Sequence, residues 1–205
     1  MLAALSIREY LAKTASGDPV PGGGSSAALN AALGAALAEM VANLTIGRKG
    51  FEAVEAEMRS VAQKASALRA KLTLDIDRDS DAYARVLAAF RLPKATEADK
   101  AVRAKAIQEA FKQAALVPLG VARDALAVMD LGRVAIAKGN PNAASDAAAG
   151  VLAARMAART AVYNVRINLG SIRDEGFTAE LRREADRFES DAEVKEREIL
   201  ALIKL

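Results

Sequence analysis

Apolar residues stand at Val54, Met58, Val61, Ala65, Leu68, Leu72, Ile76, Tyr83, Val86 and Phe90, in steps of three and four, with Asp79 filling the one gap. Steps of that kind mark the buried seam of a single long α-helix. At 1.5 Å per residue a helix over 51–90 is about 60 Å long. Such a rod buries its seam only against other long helices, so the chain must be a bundle. The rest of the sequence agrees. Strand signals are nearly missing, and Ala, Leu, Glu, Lys and Arg dominate at helical spacing.

The spacing predicts helices over 5–15, 24–46, 51–90, 96–138, 142–170 and 177–204. Pro19 and Pro21 stop the first, Gly47 and Gly50 bracket a turn, and Pro93 ends the third. "KGNPN" (138–142) separates the fourth from the fifth, with Pro141 near the new start, where its missing N–H does no harm. Pro118 falls inside the fourth pattern and predicts a kink. No repeat or low-complexity linker divides the 205 residues, which suffice for one sizeable core. The expectation is one all-α domain over 1–205, a single-domain bundle of long helices.

Two helices carry unusually small faces. In the second, Ala28, Ala31, Ala35, Ala38 and Ala42 form one stripe, and Leu29, Leu33, Leu37 and Val41 form another. The fifth repeats the idea with Ala147, Ala154, Ala158 and Ala161. A helix apolar on two faces must be covered on both. Either these two helices face each other or one meets a second copy. Few large side chains are available to fill a monomer core, which points to a homodimer.

Composition removes several chemistries. There is no Cys, so no disulfide and no thiolate nucleophile, and no His, so no Ser-His-Asp triad and no imidazole metal ligand. Acid–base work must fall to Asp, Glu, Lys, Tyr or water. No carboxylate cluster has convincing ligand spacing, so metal-independent activity is expected. A net charge of +3 with 4% aromatic residues argues against a nucleic-acid surface. The start, "MLAALSIREYLAK", has Arg8 and Glu9 soon after its apolar residues and does not read as a signal peptide. The apolar stretch 24–46 contains Asn30, Glu39 and Asn43 and reads as a buried helix, not a membrane span. A soluble, cytoplasmic protein is expected.

Four places carry candidate chemistry. Gly22, Gly23 and Gly24 run into a helix whose first turn holds Ser25 and Ser26. Free N–H groups there attract anions or carbonyl oxygens, and glycine lets a ligand approach the backbone. The bland reading is a flexible loop with a serine cap. Asp79 takes a seam position, so it must be paired, wet or functional. Asp75, Asp77 and Asp81 are expected on exposed faces. In "GNPNAASD", Asn140 or Asn142 caps the fifth helix, and Ser145 and Asp146 follow in its first turns, where the helix dipole favours a carboxylate. Asn164 and Asn168 are four apart and share a face, either as a hydrogen-bonding surface or as a bridge between subunits.

Taken in order, "PGGGSSAALNAALGAALAEMVANLTIGRK", "LPKATEADKAVRAKAIQEAFKQAALVPL", "GNPNAASDA" and "NVRINL" resemble the cyclodeaminase/cyclohydrolase family of folate enzymes. That family includes the C-terminal domain of formiminotransferase-cyclodeaminase and free-standing bacterial methenyltetrahydrofolate cyclohydrolases. The resemblance covers about residues 5–180. "SDAAAG" carries alanines where the family usually has Gly-Val, and "PGGGSSAA" has a second Ser. The resemblance implies an all-α, dimer-forming fold and a folate one-carbon substrate, with no cofactor and no metal. It places Gly22, Gly23, Gly24 and Ser25 in the folate pocket. The anionic glutamate tail of a folate gives Arg48 and Lys49 a task, the pterin edge suits Asp and Asn, and Asn43, Asn140, Asn142, Ser145, Asn164 and Asn168 are the further substrate-binding candidates. Asp79 and Asp146 become the catalytic pair, the first shuttling a proton, the second stabilising the cation or gripping the pterin. The expected reaction is hydrolysis of 5,10-methenyltetrahydrofolate to 10-formyltetrahydrofolate. The alternatives are a 5-formiminotetrahydrofolate cyclodeaminase and a non-catalytic helical module that only holds folate.

Overall fold

The structure, a computed structural model, describes residues 1–203. Six α-helices follow one another: α1 (Ile7–Thr14), α2 (Gly23–Asn43), α3 (Glu55–Phe90), α4 (Glu97–Lys138), α5 (Ala144–Leu169) and α6 (Glu175–Leu200). Short 3-10 turns precede α1, α3 and α5, and no strand occurs among the described residues. The expected helix over 177–204 is α6, and its position 204 lies outside the described residues. α4 runs unbroken through Pro118. Two helix starts are fixed by reciprocal caps, Ser6 with Glu9 at α1 and Thr96 with Asp99 at α4.

Successive long helices run antiparallel, and cross-contacts fix their register. Ser25 meets Ile76 while Glu39 meets Arg69, which reverses α3 against α2. Gln108 meets Ser171 and Gly132 packs on Val151, which reverses α5 against α4. The two alanine stripes do face each other. Ala28, Ala31, Ala35, Ala154, Ala158 and Ala161 are fully buried. A Cβ on Gly34 would lie 2.7 Å from the Gly150 carbonyl oxygen. Small side chains therefore let α2 and α5 approach almost backbone to backbone at their midpoint. The leucine stripe of α2 is only partly covered in this chain: Val41 is fully buried and Leu37 half-buried, but Leu33 is 51% exposed, with the exposed Leu29 and Met40 beside it.

The α3 seam packs as its spacing predicts from Met58 to Ile76 and again at Val86, but not at two of its aromatic positions. Tyr83 is 39% exposed and Phe90 is also exposed. One expectation needs correcting. Asp75 is not on an exposed face but is 4% exposed, clamped by Lys71 at 3.0 Å and Arg78 at 2.7 Å. Lys71 also bonds the buried Asp124 of α4. This network ties α3 to α4; the Lys71 and Arg78 clamps are local, but the link to Asp124, 53 positions from Lys71, is out of reach of a spacing argument. Asp77 is half-buried and accepts the Leu2 N–H, while Asp81 is exposed as expected.

Candidate active site at the start of helix α2

α2 begins at Gly23 with Gly22 as its N-cap, and Gly22 has no side chain to satisfy the first N–H groups. The antiparallel packing brings other helices to that start. From α3, Asp79 reaches Ser25, whose hydroxyl lies 3.0 Å from Asp79 Oδ2, 3.0 Å from the Ile76 carbonyl and 3.3 Å from Ser80 Oγ. From α5, Asn164 reaches Gly23. The glycines make room for both. A Cβ on Gly24 would overlap the Asp79 carboxylate, and one on Gly23 would lie 3.0 Å from Asn164 Nδ2.

Gly23, Gly24, Asp79 and Asn164 line a cleft of about 350 Å³ that Gly22 and Asn168 also border. Tyr83 and Phe111 supply its aromatic walls. Phe111 is steadied edge-on by Phe90, with centroids 6.1 Å apart at 82°. Among the described residues no Lys or Arg lines it. Burial raises the Asp79 pKa above the ordinary aspartate value, against the opposing pull of the Ser25 hydroxyl and the Ser25 backbone N–H. Tyr10 of α1 lies behind this corner, and burial raises its pKa too, with Ser26 opposing and the Asp79 charge adding to the rise.

The other candidates sit elsewhere. Asn43, Arg48, Lys49, Asn140, Asn142, Ser145 and Asp146 gather around the C-terminal end of α2 and the start of α5. Asp146 is 18 residues from Asn164 on one helix, about 27 Å along its axis. Within one chain, then, Asp146 does not share a cleft with Asp79, nor does the Arg48/Lys49 pair, because the antiparallel α2 and α5 put Gly23 beside Asn164 at one end and leave these residues at the other. Asn140 is buried and structural in its contacts. Its N–H donates to Thr45 Oγ1 at 2.9 Å, its amide donates to the Leu44 carbonyl at 3.4 Å, and its Oδ1 accepts from the Asn142 N–H at 3.1 Å. Arg48 and Lys49 are exposed in the turn between Gly47 (φ 71°) and Gly50 (φ 92°), both in the left-handed region that glycine tolerates. Asp146 is half-buried, and Ser145, Asn142 and Asn43 are exposed.

Sequence reasoning placed Tyr83 in the core and passed over Phe111. The available signal for Tyr83 was its position one turn beyond Asp79 on the same face. Phe111 carried none, since its neighbours come from other helices.

The sequence model of the family described as Formiminotransferase-cyclodeaminase matches residues 6–187. The chain belongs to that family. Within it, the protein is 41% identical over 199 residues to the methenyltetrahydrofolate cyclohydrolase of Methylorubrum extorquens, covering 97% of this chain and 96% of that one. It is 38% identical to the formimidoyltransferase-cyclodeaminase of Sus scrofa over 177 residues, spanning only 33% of that longer chain. The crystal structure of formiminotetrahydrofolate cyclodeaminase from Thermotoga maritima superposes with a TM-score of 0.88 at 30% identity, covering 99% of this chain and 98% of that one. α2 is long and apolar enough to cross a membrane by length and composition, but its alanine face is packed inside the bundle, as in a core helix of this fold.

Proposed function

We propose that this protein is a cytoplasmic methenyltetrahydrofolate cyclohydrolase, converting 5,10-methenyltetrahydrofolate and water to 10-formyltetrahydrofolate. The observation that carries the reading is Asp79, a desolvated carboxylate at the corner of a cleft with no cation against it. Full-length similarity to a named cyclohydrolase favours it over the cyclodeaminase activity named for the longer relatives.

Asp79 takes a proton from water as the oxygen bonds to the cationic bridge carbon. The same proton returns to N5 as the carbon–N5 bond breaks. The hydroxyl proton of the intermediate leaves to solvent as the formyl C=O forms, so one proton is released overall. A raised pKa suits a group that must both accept and return a proton. Ser25 serves both states of Asp79. Its single proton is donated to the carboxylate when Asp79 is ionised. It turns to the Ile76 carbonyl when Asp79 is protonated and donates to the serine oxygen. No metal takes part, and dialysis against a chelator is expected to leave the rate unchanged.

A second copy supplies what the single chain keeps apart. The exposed apolar residues Leu29, Leu33 and Met40 of α2 and Leu152, Met156 and Ile167 of α5 form a face that needs a cover. A twofold axis perpendicular to these helices carries the Arg48, Lys49 and Asp146 end of one copy to the cleft end of the other. Arg48 and Lys49 then hold the glutamate tail, and Asp146 attends the cation from across the interface. Sedimentation at micromolar concentration should return a dimer; a monomer would remove this part of the reading.

The test of the activity is a parallel incubation. Purified protein should abolish the near-ultraviolet absorbance of 5,10-methenyltetrahydrofolate, and should release little ammonia from 5-formiminotetrahydrofolate. Ammonia release at the higher rate would make the protein a cyclodeaminase.

A further inference from the structure

Asn168 and Asn164 are oriented by what their nitrogens touch. Asn168 Nδ2 donates to the Ala114 carbonyl at 3.1 Å and to the Asn164 carbonyl at 2.9 Å. Both of its N–H donors are thereby used, and its amide is clamped between α4 and α5. Asn164 Nδ2 donates to the Thr160 carbonyl at 2.8 Å. A carbonyl oxygen accepts only from a donor, so these contacts fix which end of each amide is nitrogen. The two Oδ1 atoms accept no hydrogen bond from the described residues, and both side chains border the cleft. Holding two helices together requires the nitrogen of Asn168 alone. It gives no reason for two open oxygens, four residues and about 6 Å apart along α5.

We infer that Asn164 and Asn168 are specificity-determining residues that read the N–H donors of a reduced pterin ring, so that the substrate enters ring first and its carboxylate tail stays outside. This rests on the folate reading above. The cleft's side-chain acceptors are Asp79, the two amide oxygens and the Tyr83 and Ser171 hydroxyls, and no cation of the same chain lines it; the Arg48 and Lys49 proposed for the carboxylate tail come from the second copy. The ring amino and N–H groups need acceptors. The ring carbonyl needs donors, which the uncapped start of α2 offers. Tyr83 and Phe111 flank a space of suitable size for a flat bicyclic ring. Each group of the ring thus meets a partner of opposite polarity, whereas an anionic tail that reached the N–H groups of the α2 start would also be set against the amide oxygens and the Asp79 carboxylate.

The test uses fragments, and calorimetry of binding rather than turnover. 6-Methyltetrahydropterin stands for the ring and p-aminobenzoylglutamate for the tail. Wild-type protein is expected to bind the pterin fragment. Asn168→Leu and Asn164→Leu should each weaken that binding by about tenfold or more, the usual scale for leaving a buried donor unpaired. Binding of p-aminobenzoylglutamate should not change. Asn168→Leu also removes a clamp between helices, so its melting temperature is measured alongside. Asn164 bonds only within its own helix through its side chain, and Asn164→Leu decides the matter if the other variant does not fold. Pterin binding that is absent in wild type, or unchanged in Asn164→Leu, overturns the inference. Because the readout is binding, a protein that fails to hydrolyse methenyltetrahydrofolate can still support it. One that hydrolyses well with unchanged pterin affinity overturns it alone.

Discussion

Asp79→Asn is expected to lower kcat for methenyltetrahydrofolate hydrolysis by about a hundredfold or more, the scale of losing a positioned acid–base group. The variant keeps the size of the side chain and an oxygen for Ser25 to bond, so KM should move far less than kcat. The pH profile of the wild type gives a companion signature. Asp79 must be ionised to take a proton from water, and burial raises its pKa above the ordinary value of 3.8. The acid limb of kcat/KM should therefore lie above that value and vanish from the residual activity of the variant. Stability should respond in the opposite sense. The protonated folded form is favoured, so the contribution of Asp79 is fully present below the ordinary aspartate pKa and lost as pH rises through its raised one. Asp79→Asn should accordingly raise the melting temperature at pH 7 more than at pH 4. Full activity together with greater stability would make Asp79 a tolerated defect in the seam.

Gly24→Ala should be nearly as damaging, by about a hundredfold in kcat, for a geometric reason. Its new Cβ would occupy the space of the Asp79 carboxylate, which must swing aside, and misplacement by about 1 Å is enough for a loss of that size. Gly23→Ala meets only the end of Asn164 at 3.0 Å, so it should act mainly on KM and more mildly. The decisive comparison is a double-mutant cycle. In an Asp79→Asn background, Gly24→Ala should cost little further kcat, because the group it displaces no longer carries the proton. Independent, additive losses would mean that Gly24 matters for the backbone alone. Melting curves of each variant separate these outcomes from a folding defect.

The helices were legible because each carries its own period and its own stops. The α3 seam as far as Ile76, the stop at Pro93 and the Gly47 turn are local signals, and they survive folding. Asp79 was legible as a disruption, an ionisable group where the period demanded an apolar one. Burial of Asp75 was not legible: the cations that neutralise it, Lys71 and Arg78, are local on α3, but the cover comes from α4, where Asp124 shares Lys71. Nor could spacing reveal that the candidates fall into two groups. Gly24 and Asp79 are 55 positions apart yet touch, while Asp146 and Asn164 share one helix and stand at opposite ends. Only the antiparallel register of α2, α3 and α5 decides this, and register is set by packing of the whole bundle.

In the proposed mechanism the bridge carbon of the folate lies beside Asp79, at the start of α2. A crystal structure of the Asp79→Asn variant with bound 5,10-methenyltetrahydrofolate tests that directly. The predicted result is a pterin ring between Tyr83 and Phe111, with the bridge carbon one water molecule away from residue 79. Folate bound instead with its ring at Arg48, Ser145 and Asp146, and residue 79 in contact with none of it, would contradict the account.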